Sequence, residues 1–153
     1  MTVDRSMIRV KAMLIALNED ASAHAVTLNV PTAENPEGYH RLIGGSVDLG
    51  ETHREAVLRE VHEELGAAVD DLELLTAVEN IFHIDEVQGH EIVFLYSGRL
   101  NPMQAKAGAT LTESDGSVVP IVWRSVHDHD DALPLYPTGT QDWVSAAVTR
   151  RRP

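Results

Sequence analysis

Several residue types that mark common kinds of site are missing from this chain of 153 residues. It has no cysteine, which excludes a disulfide framework, a thiolate metal site and a cysteine nucleophile. No apolar run approaches the ~20 residues that a bilayer-spanning helix needs. The first residues, 1–7, lack the apolar core of a secretion signal. We therefore expect a cytoplasmic protein with no membrane partner.

Positive charge is also scarce. The chain carries 12 Lys and Arg against 24 Asp and Glu, a formal net charge of -12. Such a chain repels nucleic-acid backbones, and its only tight basic run, residues 150–152, lies close to the end of the sequence. We expect no long nucleic acid as a partner. A small anionic ligand needs far fewer cations.

The hydrophobic pattern predicts one α/β domain spanning residues 1–153, with no repeat or linker. The length suffices for a single buried core. A mixed β-sheet with a helix on each side follows from the order of elements. The predicted strands are Met7–Leu17, Ala25–Val30, Tyr39–Ile43, Leu72–Ile84, Glu91–Leu100 and Val118–Trp123, and the predicted helices run from Thr52 to about Leu65 and from Thr138 to Arg150. Residues 85–90 are expected to form a turn, 101–116 a polar loop and 127–131 a solvated acidic loop.

The acidic residues are concentrated between Gly45 and Ala67. Glu60, Glu63 and Glu64 follow helical spacing, so they project toward one side of the first predicted helix. Like charges at this spacing repel each other by roughly a few tenths of a kcal/mol per pair. A hard divalent cation, which prefers carboxylate and phosphate oxygens, would compensate for that repulsion.

Local signals fix the ends of this helix. Thr52 is a suitable N-cap, and Glu55 three residues later completes a capping box. Gly66 is suited to the left-handed position that ends a helix. Ala56, Val57, Val61 and Leu65 supply the apolar face.

The same segment resembles the Nudix box of MutT-like hydrolases. That pattern is a Gly, five residues, a Glu, seven residues, Arg-Glu, an aliphatic residue, any residue, Glu-Glu, any residue, Gly and an aliphatic residue. Gly45, Glu51, Arg59, Glu60, Val61, Glu63, Glu64 and Gly66 match it without a gap, and Ala67 takes the last position. The resemblance implies the α/β/α sandwich of the Nudix fold and a pyrophosphohydrolase that uses Mg²⁺ or Mn²⁺.

The resemblance also implies roles for individual residues. Glu63 and Glu64 would bind the cation, joined by the backbone carbonyl of Gly44. Glu60 would be a further ligand or hold a metal-bound water, and it could also act as the base. Arg59 would pair with a carboxylate of the box, one helical turn from Glu63.

Nudix enzymes often take a further carboxylate from outside the box. The candidates here are Glu113, which precedes the last predicted strand, and Glu79 and Glu91, which flank the predicted turn. We place Glu113 with Arg59, Glu60 and Glu63 among the predicted catalytic residues, and Glu79 and Glu91 remain alternatives. A solvated acid is the competing interpretation for each.

Substrate contacts are predicted at Arg41, Tyr39 and Gly45. Arg41 could clamp a phosphate, and Gly45 lets the backbone approach one without a Cβ in the way. Tyr39, Phe82, Tyr96 and Trp123 could stack on a base, although in a chain with only 5% aromatic residues they are also needed for the core.

The box predicts the reaction and leaves the substrate open. The substrate could be a nucleotide sugar, a dinucleotide or a nucleoside triphosphate. Markers of three family subgroups are absent downstream of the box. A nucleotide-binding regulatory domain without activity and an acidic interaction domain without a ligand are the alternatives, and the sequence also leaves a homodimer open.

Overall fold

The computed structural model describes residues 6–103, 110–112, 116–130 and 133–151. The strands are β1 (Arg9–Leu17), β2 (Ala23–Asn29), β3 (Tyr39–Ser46), β4 (Ala68–Ile84), β5 (Val87–Asn101), β6 (Thr110–Thr112), β7 (Val118–Ser125) and β8 (Leu135–Tyr136), and the helices are α1 (His53–Leu65) and α2 (Thr140–Arg151). Within the described residues one mixed sheet has the strand order β4-β5-β1-β3-β2-β7-β6, with β8 beside β3. The β1–β5 and β3–β8 pairs are parallel and the others antiparallel.

The sheet is covered on both faces, which confirms the predicted α/β sandwich. Strand β1 shows why, because its side chains alternate between two apolar clusters. Ala12 and Leu14 join α1 residues such as Val57 in one cluster. Met13 and Ile15 join α2 residues such as Val144 in the other. A central strand buried on both faces reads as a continuous apolar run, as this one does.

Helix α1 begins and ends where the local signals predict. The Thr52 hydroxyl accepts from the Glu55 backbone N–H at 3.1 Å and donates to the Glu55 carboxylate at 3.0 Å. Gly66 ends the helix in the left-handed conformation, with φ of 63°. Because both ends are fixed, the carboxylate face of α1 has a defined orientation on the sheet.

Strand pairing extends beyond several of the predicted boundaries. The β4–β5 turn is confined to Asp85 and Glu86, both with positive φ, whereas residues 85–90 were expected to form it. Strand β3 continues through Gly44 and Gly45, and β4 begins at Ala68 instead of Leu72. The short strands β6 and β8 were not predicted, and β6 lies inside the expected polar loop.

The acidic loop after β7 is attached to the sheet by Arg124, whose side chain is fully buried. Its guanidinium donates to His40 Nδ1 at 2.9 Å, to Asp130 Oδ1 at 3.0 Å and to the carbonyl of Leu133. Asp128 Oδ1 lies 3.4 Å away. The expectation of a solvated loop was therefore wrong for Asp128, whose side chain is 15% exposed, because it did not anticipate a buried cation beneath the loop. Asp130 also pairs with Arg124 but stays exposed.

The basic run near the end of the chain is also engaged within the molecule. Arg150 pairs with Glu73 at 2.8 Å, and Arg151 donates to the Asp71 carbonyl at 2.7 Å. Among the described residues, no helix is long and apolar enough to cross a membrane.

Candidate active site

A cleft of about 880 Å³ opens beside the N-terminal half of β1, the end of β3 and the carboxylate face of α1. Acidic side chains lie on the α1 side, among them Glu60, Glu63 and Glu64. The cations of the cleft come from β1, β3 and α1: Arg9, Lys11, Arg41 and Arg59. The cleft therefore carries both signs of charge, which suits a ligand that combines phosphate groups with a divalent cation.

The glycine pair at the end of β3 permits the contact between this strand and α1. A Cβ on Gly45 would lie 2.4 Å from the Glu60 carboxyl carbon. Gly44 has φ of 149°, and a Cβ there would lie 2.2 Å from the Ala12 carbonyl oxygen. Any side chain at Gly45 would displace Glu60 from its position in the cleft.

Arg59 organises the carboxylates around it. Its Nε and Nη2 donate to the two oxygens of Glu51, at 2.7 and 2.9 Å, in a bidentate pair. Its Nη1 donates to Glu60 at 3.1 Å and to Glu63 at 3.2 Å. The pairing holds the pKa of Glu51 at about 2, with a further contribution from its bond to the Asp48 N–H. Glu51 therefore stays ionised across the physiological range and positions Arg59.

The carboxylates differ in how freely they can reorient. The Glu60 side chain is 15% exposed and packed against Gly45, whereas that of Glu63 is 58% exposed. Among the described residues, no group of three His, Cys, Asp or Glu side chains is gathered closely enough to hold a metal ion. Arg59 explains this, since it draws Glu60 and Glu63 to itself. The donor set itself, three carboxylates beside a glycine carbonyl, has the hard oxygens that Mg²⁺ and Mn²⁺ prefer.

The candidate carboxylates outside the box occupy different environments. Glu91 is buried and lines the cleft, where its Oε2 lies 3.8 Å from Lys11 Nζ. Glu79 is exposed, pairs with His90 at 3.1 Å and does not line the cleft. Glu113 lies outside the described residues.

The predicted substrate contacts Arg41, Tyr39 and Gly45 all line the cleft. Tyr39 packs edge-on against Tyr136, with ring centroids 5.3 Å apart. Phe82 also lines the cleft and lies over Gly89. Tyr96 is buried in the core and Trp123 packs against it, which is the role expected of most aromatic residues in this chain.

Sequence reasoning missed the cations of β1. Arg9 Nη2 and Lys11 Nζ both donate to Ser46 Oγ, at 2.6 and 3.0 Å. A signal was present, because two cations at i and i+2 share one face of a strand that is otherwise apolar. Arg9 precedes the buried run of β1 and Lys11 is its first residue, so the apolar pattern alone gives neither of them a role.

Comparison with known proteins identifies the family. The NUDIX domain model matches residues 7–144, and the chain therefore belongs to the Nudix family. A NUDIX hydrolase from Nitrosomonas europaea has a similar fold, with a TM-score of 0.64 and 16% identity over 94% of this chain and 90% of that one. A MutT NUDIX hydrolase from Burkholderia pseudomallei gives 0.57 and 24% over 96% and 100%. The MutT protein from Methanosarcina mazei gives 0.60 and 18% over 99% and 100%. No curated protein sequence matches.

Membership of this family defines the class of enzyme. The chain is a Nudix hydrolase acting on phosphoanhydride compounds. Nudix hydrolases generally use divalent metals, and the box carboxylates that the sequence predicted as ligands lie together at the cleft.

Proposed function

We propose that this enzyme is a Mg²⁺- or Mn²⁺-dependent pyrophosphohydrolase. Its substrate would be a nucleoside diphosphate linked to another group, and it would cleave the phosphoanhydride bond. The observation that supports this most is the convergence of Glu60, Glu63 and Glu64 on one cleft beside Gly44 and Gly45. None of the box carboxylates has been lost, so nothing favours the inactive regulatory domain.

Each group in the cleft has a role in this proposal. Glu63, Glu64 and the Gly44 carbonyl would hold the cation, with Glu60 as a further ligand or as the base that takes a proton from water. When bound, a divalent cation neutralises part of the negative charge on the phosphate oxygens. Arg59 positions Glu60 and Glu63 through its hydrogen bonds, and Glu51 keeps Arg59 in place.

The test is a phosphate-release screen over nucleoside diphosphate compounds, with and without Mg²⁺. We expect Glu63→Gln and Glu64→Gln each to lower kcat by ~10²-fold or more, because the charge stabilisation supplied by the cation is worth several kcal/mol. Glu73→Gln is the matched control, because Glu73 is exposed on β4 and pairs with Arg150. Full activity of both box variants, or turnover that persists in EDTA, would refute the proposal.

The further carboxylate can be assigned in the same assay. We propose Glu91 and Glu113 as the candidates, Glu91 because it is buried and lines the cleft. A general base contributes at least ~10²-fold, so the Gln variant of that residue should lose this much in kcat. Glu79→Gln is the control, since its exposed side chain pairs with His90. If Glu91 is only the counter-ion of Lys11, Glu91→Gln should leave kcat within about threefold of the wild type.

We further propose a small nucleotide as the substrate, in preference to capped RNA. The engagement of Arg150 and Arg151 with β4 leaves fewer cations to track an RNA backbone. Weak salt dependence of KM for the small substrate is therefore expected. Faster decapping of a long transcript, with a steep negative salt slope, would contradict this.

A further inference from the structure

Two cations of β1 meet on one neutral oxygen at the side of the cleft. Arg9 Nη2 and Lys11 Nζ donate to the same Ser46 hydroxyl, at 2.6 and 3.0 Å. Serine carries no charge, so this contact leaves the repulsion between the two cations uncompensated. A ligand oxygen with negative charge would fit these donors better than the hydroxyl does.

The charges around this point do not balance. Glu91 is the only carboxylate within salt-bridge distance of Lys11 among the described residues, and its oxygen is 3.8 Å away. Arg41 lines the same cleft, and its guanidinium makes no hydrogen bond or ion pair within the described part of the chain. Among the described residues, buried Lys11 therefore has one carboxylate within salt-bridge distance, and Arg9 and Arg41 have none. Burying cations without compensation is costly unless a ligand completes the site.

This positive region adjoins the acidic one. Ser46 follows Gly45 directly, and the Ala12–Gly45 and Lys11–Ser46 pairs are neighbours in the β1–β3 ladder. The pKa of Lys11 is lowered to about 8 by burial first and by the Arg41 charge second, while Glu91 and Glu60 oppose the shift. Lys11 thus senses both Arg41 and Glu60, so cations and box carboxylates share one continuous surface.

We propose that Arg9, Lys11 and Arg41 form an anion subsite for a phosphoryl group that the divalent cation does not hold. The substrate would then carry at least one anionic group beyond the diphosphate at the box carboxylates. A nucleoside triphosphate, or a diphosphate linked to a group with its own phosphate, meets this requirement. A diphosphate linked to a neutral sugar does not. This inference rests on the proposed function for its substrate class, whereas the anion site itself can be tested separately.

The direct test is calorimetric titration of inorganic tripolyphosphate into metal-free protein. We expect the Arg9→Gln/Lys11→Met double variant and the Arg41→Gln variant each to bind at least ~10-fold more weakly than the wild type, because each loses charge-assisted hydrogen bonds. Arg150→Gln is the matched control, since it removes one positive charge outside the cleft and should change the affinity by less than about twofold. Arg41→Gln breaks no ion pair among the described residues, so a loss of affinity in this variant would not result from misfolding. Equal affinity of the wild type and both subsite variants would overturn the inference.

A second experiment separates the subsite from the proposed reaction. The value of kcat/KM is measured for a nucleoside triphosphate and for a nucleoside diphosphate ester of a neutral sugar. Arg41→Gln should lower the first by ~10-fold or more relative to the second. An equal loss for both substrates would overturn the subsite. Loss of tripolyphosphate binding in the variants, with no hydrolysis of any substrate by the wild type, would support the subsite and overturn the proposed function.

Discussion

Two arginines organise opposite parts of this molecule, and they do so in different environments. Arg59 lies at the cleft with 27% of its side chain exposed, and its side-chain partners are the carboxylates of the Nudix box. Arg124 is fully buried and binds a histidine, two backbone carbonyls and two aspartates of the loop after β7. The partly exposed arginine holds the carboxylates that we propose as ligands of a divalent cation. The buried one joins strand β3 to the loop that follows β7.

The largest effect is expected from breaking the buried network. Arg124→Met should lower the free energy of unfolding by about 3–5 kcal/mol, because it leaves Asp128 and His40 without their buried partner. Urea denaturation measures this. Arg99→Met is the control, because Arg99 is a partly exposed cation paired with Asp71 and should cost at most about 1 kcal/mol. A loss below about 1 kcal/mol for Arg124→Met would show that its network contributes little to stability.

Breaking the exposed network should affect activity more than stability. Arg59→Met should lower kcat by ~10²-fold, since Glu60 and Glu63 lose the group that positions them. The metal-free variant should also melt at a lower temperature than the wild type, and saturating Mg²⁺ should reduce that difference. Differential scanning fluorimetry with and without Mg²⁺ checks this. A variant whose melting temperature responds to Mg²⁺ as the wild type does would contradict the role of Arg59 as a counter-ion.

The smallest effect concerns His24, which lies beside Arg124. It is fully buried, and neither ring nitrogen has a hydrogen-bond partner among the described residues. Burial, and then the charges of Arg124 and His40, lower its pKa to about 3. In the unfolded chain His24 therefore takes up a proton near pH 6.5, whereas in the folded chain it stays neutral until the pH approaches 3. The contribution of neutral His24 to the free energy of unfolding is fully present above pH 6.5 and is lost as the pH falls toward 3.

We therefore expect His24→Leu to be less sensitive to acid than the wild type. Between pH 7 and pH 5 the wild type should lose on the order of 1–2 kcal/mol more than this variant, since one pKa unit corresponds to about 1.4 kcal/mol. Urea denaturation at both values measures the difference. Parallel losses in the two proteins would show that other groups carry the acid sensitivity.

The two arginines also show how far the sequence could predict this structure. The Arg59 network lies mainly within one loop and one helix, so the family resemblance and the helical spacing predicted a pair between Arg59 and a box carboxylate near Glu63. They did not predict the bidentate pair with Glu51. The partners of Arg124 are His40 on β3 and Asp128, Asp130 and Leu133 after β7, and no local pattern joins them. The shared contact of Arg9 and Lys11 with Ser46 was missed for the same reason, because it depends on the register between β1 and β3.

Short strands and irregular pairing also escaped prediction. Strands β6 and β8 have 3 and 2 residues, too few for a periodic signal. The register of β4 against β5 shifts near Asp71, which has a positive φ of 56°. Such a bulge lets a strand continue through residues that a strict alternation would exclude, which is why β4 begins earlier than expected.

The contacts of Arg59 bear on how the proposed divalent cation would bind. Proteins whose ligands repel one another until an ion arrives often cannot fold without that ion. In this protein Arg59 already serves as the counter-ion, because it is hydrogen-bonded to Glu51, Glu60 and Glu63. Uptake of the divalent cation that we propose would then be an exchange between two positive partners within a finished fold. On that proposal the chain would fold without its ion, and assembly of the protein would not depend on the supply of metal.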